Sequence, residues 1–159
     1  MTLHQTFLNH ARAITFSFIA AIIIFGIGIY FKADRLLWIL FAGFYAITTI
    51  PALYLHLRYY LKNKGKKIRL NNNELNIMKD GYETKYLKED LEYAVVHKSA
   101  SLDNGIPFSA MEYYYYVEII AKNRQKIIIT SLMGSKIDNV LKKYLDIPFK
   151  RERSWFNIF

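Results

Sequence analysis

Two long apolar runs separated by four residues open the chain, and shorter alternating segments follow them. Residues 13–31 contain no charged side chain, and residues 36–57 contain none apart from the titratable His56. At a rise of about 1.5 Å per residue, each run as a helix could cross a hydrocarbon core of about 30 Å. The pattern predicts two transmembrane helices joined by a very short turn.

A cleaved signal peptide and a buried hairpin of a soluble protein are the alternatives. The first run is longer than the apolar region of a signal peptide, which is about 7 to 15 residues, and no A-x-A-like site precedes the second run. A single small domain could not hide two helices that are apolar on all sides. We therefore favour a membrane hairpin.

Basic residues are unevenly distributed around the two runs. The turn contains Lys32 and Arg35, whereas Lys and Arg are abundant after the second run and Arg12 precedes the first. By the positive-inside rule, both ends of the hairpin face the cytoplasm. We expect a multi-pass protein of the inner (cytoplasmic) membrane with both termini in the cytoplasm.

Small side chains recur at every fourth position of the first run, at Ala13, Ser17 and Ala21, and at Ala42 and Ala46 of the second. This spacing lets helices approach closely, within one hairpin or between copies in a homo-oligomer. The general abundance of Ala and Ser in membrane helices is the alternative explanation.

Length and composition limit the rest of the chain. A protein of 159 residues has room for one soluble domain beside the hairpin. The absence of cysteine excludes a disulfide framework and cysteine-based metal sites. We predict a membrane anchor at residues 1–62, a domain at 63–149 and a basic, aromatic tail at 150–159.

From residue 66 onward, apolar positions alternate as in strands. Ile68 and Leu70 precede a turn at residues 71–73, and a second turn signal follows at 79–81. Residues 82–87 and 91–99 are predicted to form one or two strands, separated or bent around residues 88–90, and residues 111–121 and 126–131 are predicted to form a hairpin. From Ser135, the predicted N-cap, apolar residues recur at helical spacing as far as Leu145. The pattern indicates an α+β domain with a C-terminal amphipathic helix.

This order of elements resembles the bacterial pleckstrin-homology-like (PH-like) domains of small membrane proteins, including the YcxB-like group. The resemblance rests on the turn-rich first hairpin and on the strand at 126–131 that leads into the closing helix. It implies an antiparallel β half-barrel capped by that helix and used to bind lipids, peptides or proteins. Phosphoinositide-binding members use basic residues between the first two strands, whereas residues 71–73 contain neither Lys nor Arg.

Basic side chains cluster beside the second run and in the tail, and the formal net charge is +9. Anionic head groups would attract each of them with about 1 kcal/mol near the membrane surface, and the neighbouring aromatic residues suit the interface. We expect membrane-surface or lipid contacts from Arg58, Lys62, Lys64, Lys66, Lys67, Arg69, Lys150, Arg151, Arg153 and Trp155. A topology signal alone is the alternative for the juxtamembrane cluster, and nucleic-acid binding is not expected.

Four consecutive tyrosines occupy residues 113–116. On a strand, alternation sends two rings to each face of the sheet, so two should join the core and two should lie outside. Tyr114 and Tyr116 are therefore candidates for contact with a protein partner. Cross-strand aromatic packing is the alternative.

Nothing in the sequence has the spacing of a catalytic, cofactor or metal site. The four histidines are scattered without an H-E-x-x-H pattern. His97 suits a structural role on a strand, and Glu89, Asp90 and Glu92 suit a solvated turn. We expect a non-enzymatic module that binds a protein partner at the cytoplasmic membrane surface, or alternatively one that senses anionic lipid.

Overall fold

Two long helices occupy the apolar runs. In the computed structural model, which describes residues 1–105, 109–154 and 156–159, α1 spans Phe7–Tyr30 and α2 spans Arg35–Asn63. Thr6 caps α1, and the Asp34 carboxylate accepts a hydrogen bond from the first turn of α2. Both helices are long and apolar enough to cross a membrane. The predicted helices are confirmed, and their insertion in a membrane stays a prediction.

The helices pack closely where they approach the turn. The Trp38 ring of α2 lies against Gly28 of α1, where a Cβ atom would come within 2.6 Å of the indole. Further along, the Tyr45 hydroxyl donates to the carbonyl oxygen of Ser17 at 3.3 Å. Ala13 and Ser17, two of the small residues noted in the sequence, are buried. Small residues on α1 therefore allow close approach here within a single hairpin.

The first sheet contains four antiparallel strands in sequential order. They are β1 (Thr2–His4), β2 (Lys66–Asn71), β3 (Glu74–Lys79) and β4 (Tyr82–Leu87). Leu3 pairs with Ile68, so the helical hairpin is inserted between the first two strands. The assignment of residues 71–73 to that connection is wrong, because they join the second strand to the third. The sequence did not predict β1, because a strand of three residues is too short to show an alternation of apolar and polar side chains.

The second sheet has the order β7-β6-β5-β8. Its strands are β5 (Leu91–Lys98), β6 (Tyr116–Ala121), β7 (Lys126–Thr130) and β8 (Phe149–Arg153). Three strands are antiparallel, whereas β8 runs parallel to β5 and brings the start of the predicted tail into the sheet. Shorter elements are α3 (Ala100–Asp103) and 3₁₀ turns at Lys88–Asp90, Ala110–Tyr113 and Ser131–Met133.

Helix α4 (Ile137–Tyr144) covers the sheets from one side. It buries Ile137 and Leu141 in the core between the sheets, as its apolar spacing predicts. Ser135 is not its N-cap; Lys136 takes that position, with a φ of 51°. The Tyr115 hydroxyl lies 3.0 Å from the Ile137 amide and accepts its hydrogen bond, so a tertiary contact replaces the predicted cap. The predicted architecture, a helical hairpin with a helix-capped β half-barrel, is confirmed.

Candidate functional site

The eight strands, α4, the connections between β2 and β8 and the residues after β8 are called the β domain below, and they pack directly on one end of the helical hairpin. At this contact α2 buries Ala52, Leu55, Tyr59 and Asn63, which recur every three or four residues along one face. They belong to or adjoin an interface cluster formed by Ala13, Ala52, Leu55, Tyr59, Ala110, Tyr114, Tyr116 and Leu132. This cluster is distinct from the core between the sheets, and it fixes the β domain against the helices.

A chain of polar groups crosses the same contact. Nδ1 of His10 lies 3.0 Å from Nε2 of His56, and Nδ1 of His56 lies 2.9 Å from the Tyr114 hydroxyl. Burial raises the pKa of Tyr114, so its hydroxyl keeps its proton at neutral pH. The two histidines are 46 positions apart in the sequence, so no local motif could have paired them.

Two further hydrogen bonds join α2 to the β domain. The Asn63 amide donates to the Thr130 hydroxyl of β7. The Tyr59 hydroxyl donates to the backbone carbonyl oxygen of Asn157 at 2.8 Å. The side-chain amide of Asn157 in turn donates to the backbone carbonyl oxygen of Tyr114 at 3.0 Å. The end of the chain thus lies against α2.

The four tyrosines do not form an exposed patch. Tyr115 joins the core between the sheets, while Tyr114 and Tyr116 belong to the interface cluster. Their exposed fractions are 1% for Tyr114 and 7% for Tyr116, because α2 and Phe159 cover that face. The strand starts only at Tyr116, so the alternation predicted over all four residues is incomplete. A partner would reach Tyr114 or Tyr116 only if α2 moved away, and their role in partner binding stays a prediction.

The predicted lipid-contact residues on α2 meet the end of the chain. The Arg58 guanidinium donates to the Phe159 carbonyl oxygen at 3.2 Å, and Lys62 Nζ lies 5.6 Å from the centre of the Phe159 ring. Lys64, Lys67 and Arg69 are exposed. Lys67 and Arg69 lie on the outer face of β2, since the alternate positions are buried in the core.

Lys66 is different from its basic neighbours. It is only partly exposed, and its Nζ donates to the Ile128 carbonyl oxygen at 2.6 Å. Burial, followed by the charges of Lys62 and Lys79, lowers the pKa of Lys66 to about 8. Its ammonium group is therefore directed at β7 of the β domain.

The basic residues near the chain end are dispersed. Lys150 Nζ lies 4.4 Å from the centre of the Tyr93 ring, Arg151 forms an ion pair with Asp103, and Arg153 is exposed. Trp155 lies outside the described residues. The structure thus brings Arg58 and Lys62 together at the chain end, and it does not bring Lys150, Arg151 and Arg153 into that group.

His97 has a structural environment. Its ring stacks on Tyr116 with centroids 4.3 Å apart, between the carboxylates of Glu118 at 3.5 Å and Glu152 at 3.4 Å. In the part of the chain that the structure describes, no group of three or more His, Asp, Glu or Cys side chains could hold a metal ion.

A cavity of about 520 Å³ lies between the start of α1 and the β domain. Its walls are mainly apolar and include Phe16, Ile19 and Leu132. Its cationic lining residues are Arg12, Lys98 and Lys136, and none of the described lining residues is acidic. Arg12, Lys98 and Lys136 are far apart in the sequence, so no local pattern of side chains could have grouped them.

Comparison with known families gives a match that includes both helices. A family model described as "PH domain" matches residues 3–138, a range that begins in β1 and extends into α4. The match agrees with a β domain whose first strand precedes the helical hairpin. No curated protein and no solved structure shows a significant match to the chain.

Proposed function

The chain belongs to the PH domain family, and from that premise we propose that it is a membrane-anchored, non-enzymatic binding module. PH-like domains bind lipids or proteins and are generally not catalytic. The finer assignment to the bacterial YcxB-like group is part of the proposal. So are the inner-membrane location and the cytoplasmic position of both termini, which the distribution of basic residues favours.

The observation that carries the membrane part is the exposed apolar surface of the two helices. Phe18, Ile22 and Ile47 have exposed fractions of 69%, 65% and 74%, and many other large apolar side chains on both helices are exposed as well. In water each would forgo about 1.5 to 3 kcal/mol of burial energy. The β domain covers one end of the hairpin, and a lipid bilayer would cover the apolar side chains that remain exposed on the rest of it.

A C-terminal fusion to a reporter that is active only in the cytoplasm tests the orientation. We expect reporter activity, since the β domain follows the more basic end of the hairpin. A matched fusion in the turn, after Ala33, should be inactive. Activity of the turn fusion together with silence of the C-terminal fusion would place the β domain outside and contradict the proposal.

Anionic lipid head groups are the ligand class that the geometry supports best. Lys64 and Lys67 are exposed and lie within four residues of the end of α2, so both are close to the surface from which the helix emerges. Each contributes about 1 kcal/mol of attraction to an anionic surface. Tyr114 and Tyr116, by contrast, are not accessible to a partner in this arrangement.

Thermal unfolding of the full-length protein in mixed micelles tests this attraction. Phosphatidylglycerol should raise the midpoint relative to phosphatidylcholine, because a ligand of the folded state stabilises it. Replacing Lys64 and Lys67 by Gln should reduce that rise. Lys122 and Arg124 lie in the turn between β6 and β7, at the end of β7 opposite Thr130, which contacts α2. Replacing both by Gln removes the same charge and should leave the rise in midpoint intact. Equal stabilisation by both lipids would contradict anionic-lipid binding.

A protein partner at the edge of the first sheet is the second candidate. β4 is an edge strand, five of its six residues are exposed, and Tyr82 has an exposed fraction of 81%. An unpaired edge can add a strand from another protein. A photo-crosslinking residue at Thr84 should capture a stoichiometric partner, whereas one at Asn123, in the β6–β7 turn, should not. Equal labelling from both positions would argue against a partner at this edge.

A further inference from the structure

The cavity between α1 and the β domain changes from basic to apolar along the helix. Arg12, Phe16 and Ile19 line it from α1, and their spacing of four and then three residues places them on one helix face. Ile19 lies seven positions after Arg12, which corresponds to about 10 Å along the helix axis. The cavity therefore has a basic end near the start of α1 and an apolar end deeper along the predicted membrane span.

Two of the three cations that line the cavity have no acidic partner among the described residues. Lys98 Nζ is shared between Asp103 at 3.4 Å and Asp138 at 4.0 Å, so this lysine has acidic partners. Arg12 and Lys136 are exposed, and in the described ranges neither has a carboxylate oxygen within 4.0 Å. Lys136 also has a left-handed backbone, with a φ of 51°, which is uncommon for a residue with a side chain. Two cations on separate elements thus line one cavity, and no described residue supplies a counter-ion.

We infer that this cavity binds one anionic phospholipid of the surrounding leaflet, with its phosphate at Arg12 and Lys136 and an acyl chain along Phe16 and Ile19. The inference rests on the proposed function, since the lipid enters from the membrane that the helices cross. It adds a discrete site to the diffuse attraction of Lys64 and Lys67.

The chemistry of the walls favours a lipid over a small soluble anion. A phosphate ion would use the cations and leave the apolar surface of Phe16 and Ile19 uncovered, whereas an acyl chain covers it. The volume of about 520 Å³ lies within the range of small-molecule sites, about 300 to 1,000 Å³. Ile19, with an exposed fraction of 51%, connects the cavity to the outer surface of α1, where bilayer chains would lie.

Native mass spectrometry of the full-length protein in detergent with added phosphatidylglycerol tests the site. We expect one phosphatidylglycerol to be retained per chain at concentrations where phosphatidylcholine is not. Arg12→Gln combined with Lys136→Gln should weaken this binding about tenfold or more, because two phosphate-facing charges are lost. Lys122→Gln with Arg124→Gln removes the same charge from a distant turn and should bind as the unmodified protein does.

Two further measurements separate the occupants. Ile19→Asn places a polar amide on the acyl wall and should weaken phosphatidylglycerol binding while both cations remain. Inorganic phosphate in excess should not displace the lipid. The inference would be overturned if the Arg12→Gln, Lys136→Gln variant bound phosphatidylglycerol as the unmodified protein does. It would also be overturned if the Lys122→Gln, Arg124→Gln control lost binding equally, or if inorganic phosphate alone displaced the lipid. Far-ultraviolet circular dichroism and thermal unfolding show whether each variant is folded, and Arg12→Gln alone serves if the double variant is not.

The outcomes distinguish this inference from the proposed function. If phosphatidylglycerol still stabilises the protein through Lys64 and Lys67 but no single lipid is retained, the proposed lipid site in the cavity is wrong. The proposal of a membrane-anchored binding module then still stands. If the protein fails to insert in membranes and anionic lipid has no effect on its stability, the proposed function fails first.

Discussion

Nδ1 of His56 and the hydroxyl oxygen of Tyr114 lie 2.9 Å apart, and this contact joins the second long helix to the β domain. The other ring nitrogen of His56 meets His10 of the first helix at 3.0 Å, so one imidazole links three parts of the chain. Neutral imidazole has one donor and one acceptor nitrogen, which suits a position between two polar groups. The orientation of the β domain relative to the hairpin is therefore fixed by hydrogen bonds as well as by apolar packing.

Replacing His56 by Phe should destabilise this junction. The ring is kept, but the buried Tyr114 hydroxyl and His10 each lose their partner, which costs about 1 to 3 kcal/mol. Chemical unfolding in detergent, followed by near-ultraviolet circular dichroism, measures the loss. His4→Phe, on the exposed side of β1, is the control and should change stability little.

A double-mutant cycle with Tyr114→Phe assigns the effect to the bond. Because both substitutions remove the same interaction, the double variant should lose less than the sum of the two single losses. Strict additivity would mean that the two side chains do not interact in solution.

Tyr114→Ala should lower the free energy of unfolding by about 3 to 5 kcal/mol, since the ring is fully buried in the interface cluster. Tyr82→Ala, at an exposed position, should stay within about 0.5 kcal/mol of the unmodified protein. The same unfolding assay compares them. If Tyr114→Ala is destabilised and also loses a binding partner, the loss reflects a disrupted contact between α2 and the β domain. If Tyr114→Ala is as stable as the unmodified protein, Tyr114 is not buried in this contact and is available to a partner.

Gly28→Ala should destabilise the hairpin through Trp38. The new methyl group would lie 2.6 Å from the indole, so the ring must shift, at a cost of about 1 to 3 kcal/mol. Gly26→Ala adds the same group where no atom outside the adjacent backbone of its own helix lies within 4 Å, and it should be neutral or gain up to about 1 kcal/mol of helix stability. Thermal unfolding in detergent ranks the two variants.

A smaller residue at position 38 should relieve the strain. Trp38→Leu in the Gly28→Ala background is expected to cost less than Trp38→Leu alone, because the clash is removed. Equal stability of the two single-glycine variants would show that the helices do not approach as described.

Lys66 should make stability depend on pH in the alkaline range. Its pKa is lowered from 10.5 to about 8 in the folded protein, mainly by burial, so the unfolded chain binds the proton more tightly. Stability relative to Lys66→Met should therefore rise with pH between about 8 and 10.5, by at most about 3 kcal/mol. Below pH 8 the difference should be constant.

Chemical unfolding of both proteins across this pH range measures the difference. Lys67→Met, at an exposed position of the same strand, is the control and should show a much flatter difference. A pH-independent difference for Lys66→Met would mean that the ammonium group is solvated in the folded protein.

The sequence by itself determined the elements whose signals are local. The uncharged runs at 13–31 and 36–57 predicted both helices, because hydrophobicity and length suffice for that inference. Asp80 and Gly81 predicted the turn between β3 and β4, and both adopt the positive φ that such residues favour. The spacing of Ile137 and Leu141 likewise predicted the helix that covers the sheets.

Only the tertiary structure decided which distant segments meet. Alternation placed Tyr114 and Tyr116 on one face, but it could not show that α2 covers that face, because a pattern of two reports sidedness and not the neighbour. The pairing of Leu3 with Ile68, the contact of His10 with His56, and the cavity shared by Arg12 and Lys136 all join segments far apart in the chain. Such contacts depend on how complete elements pack, and no local pattern of side chains encodes them.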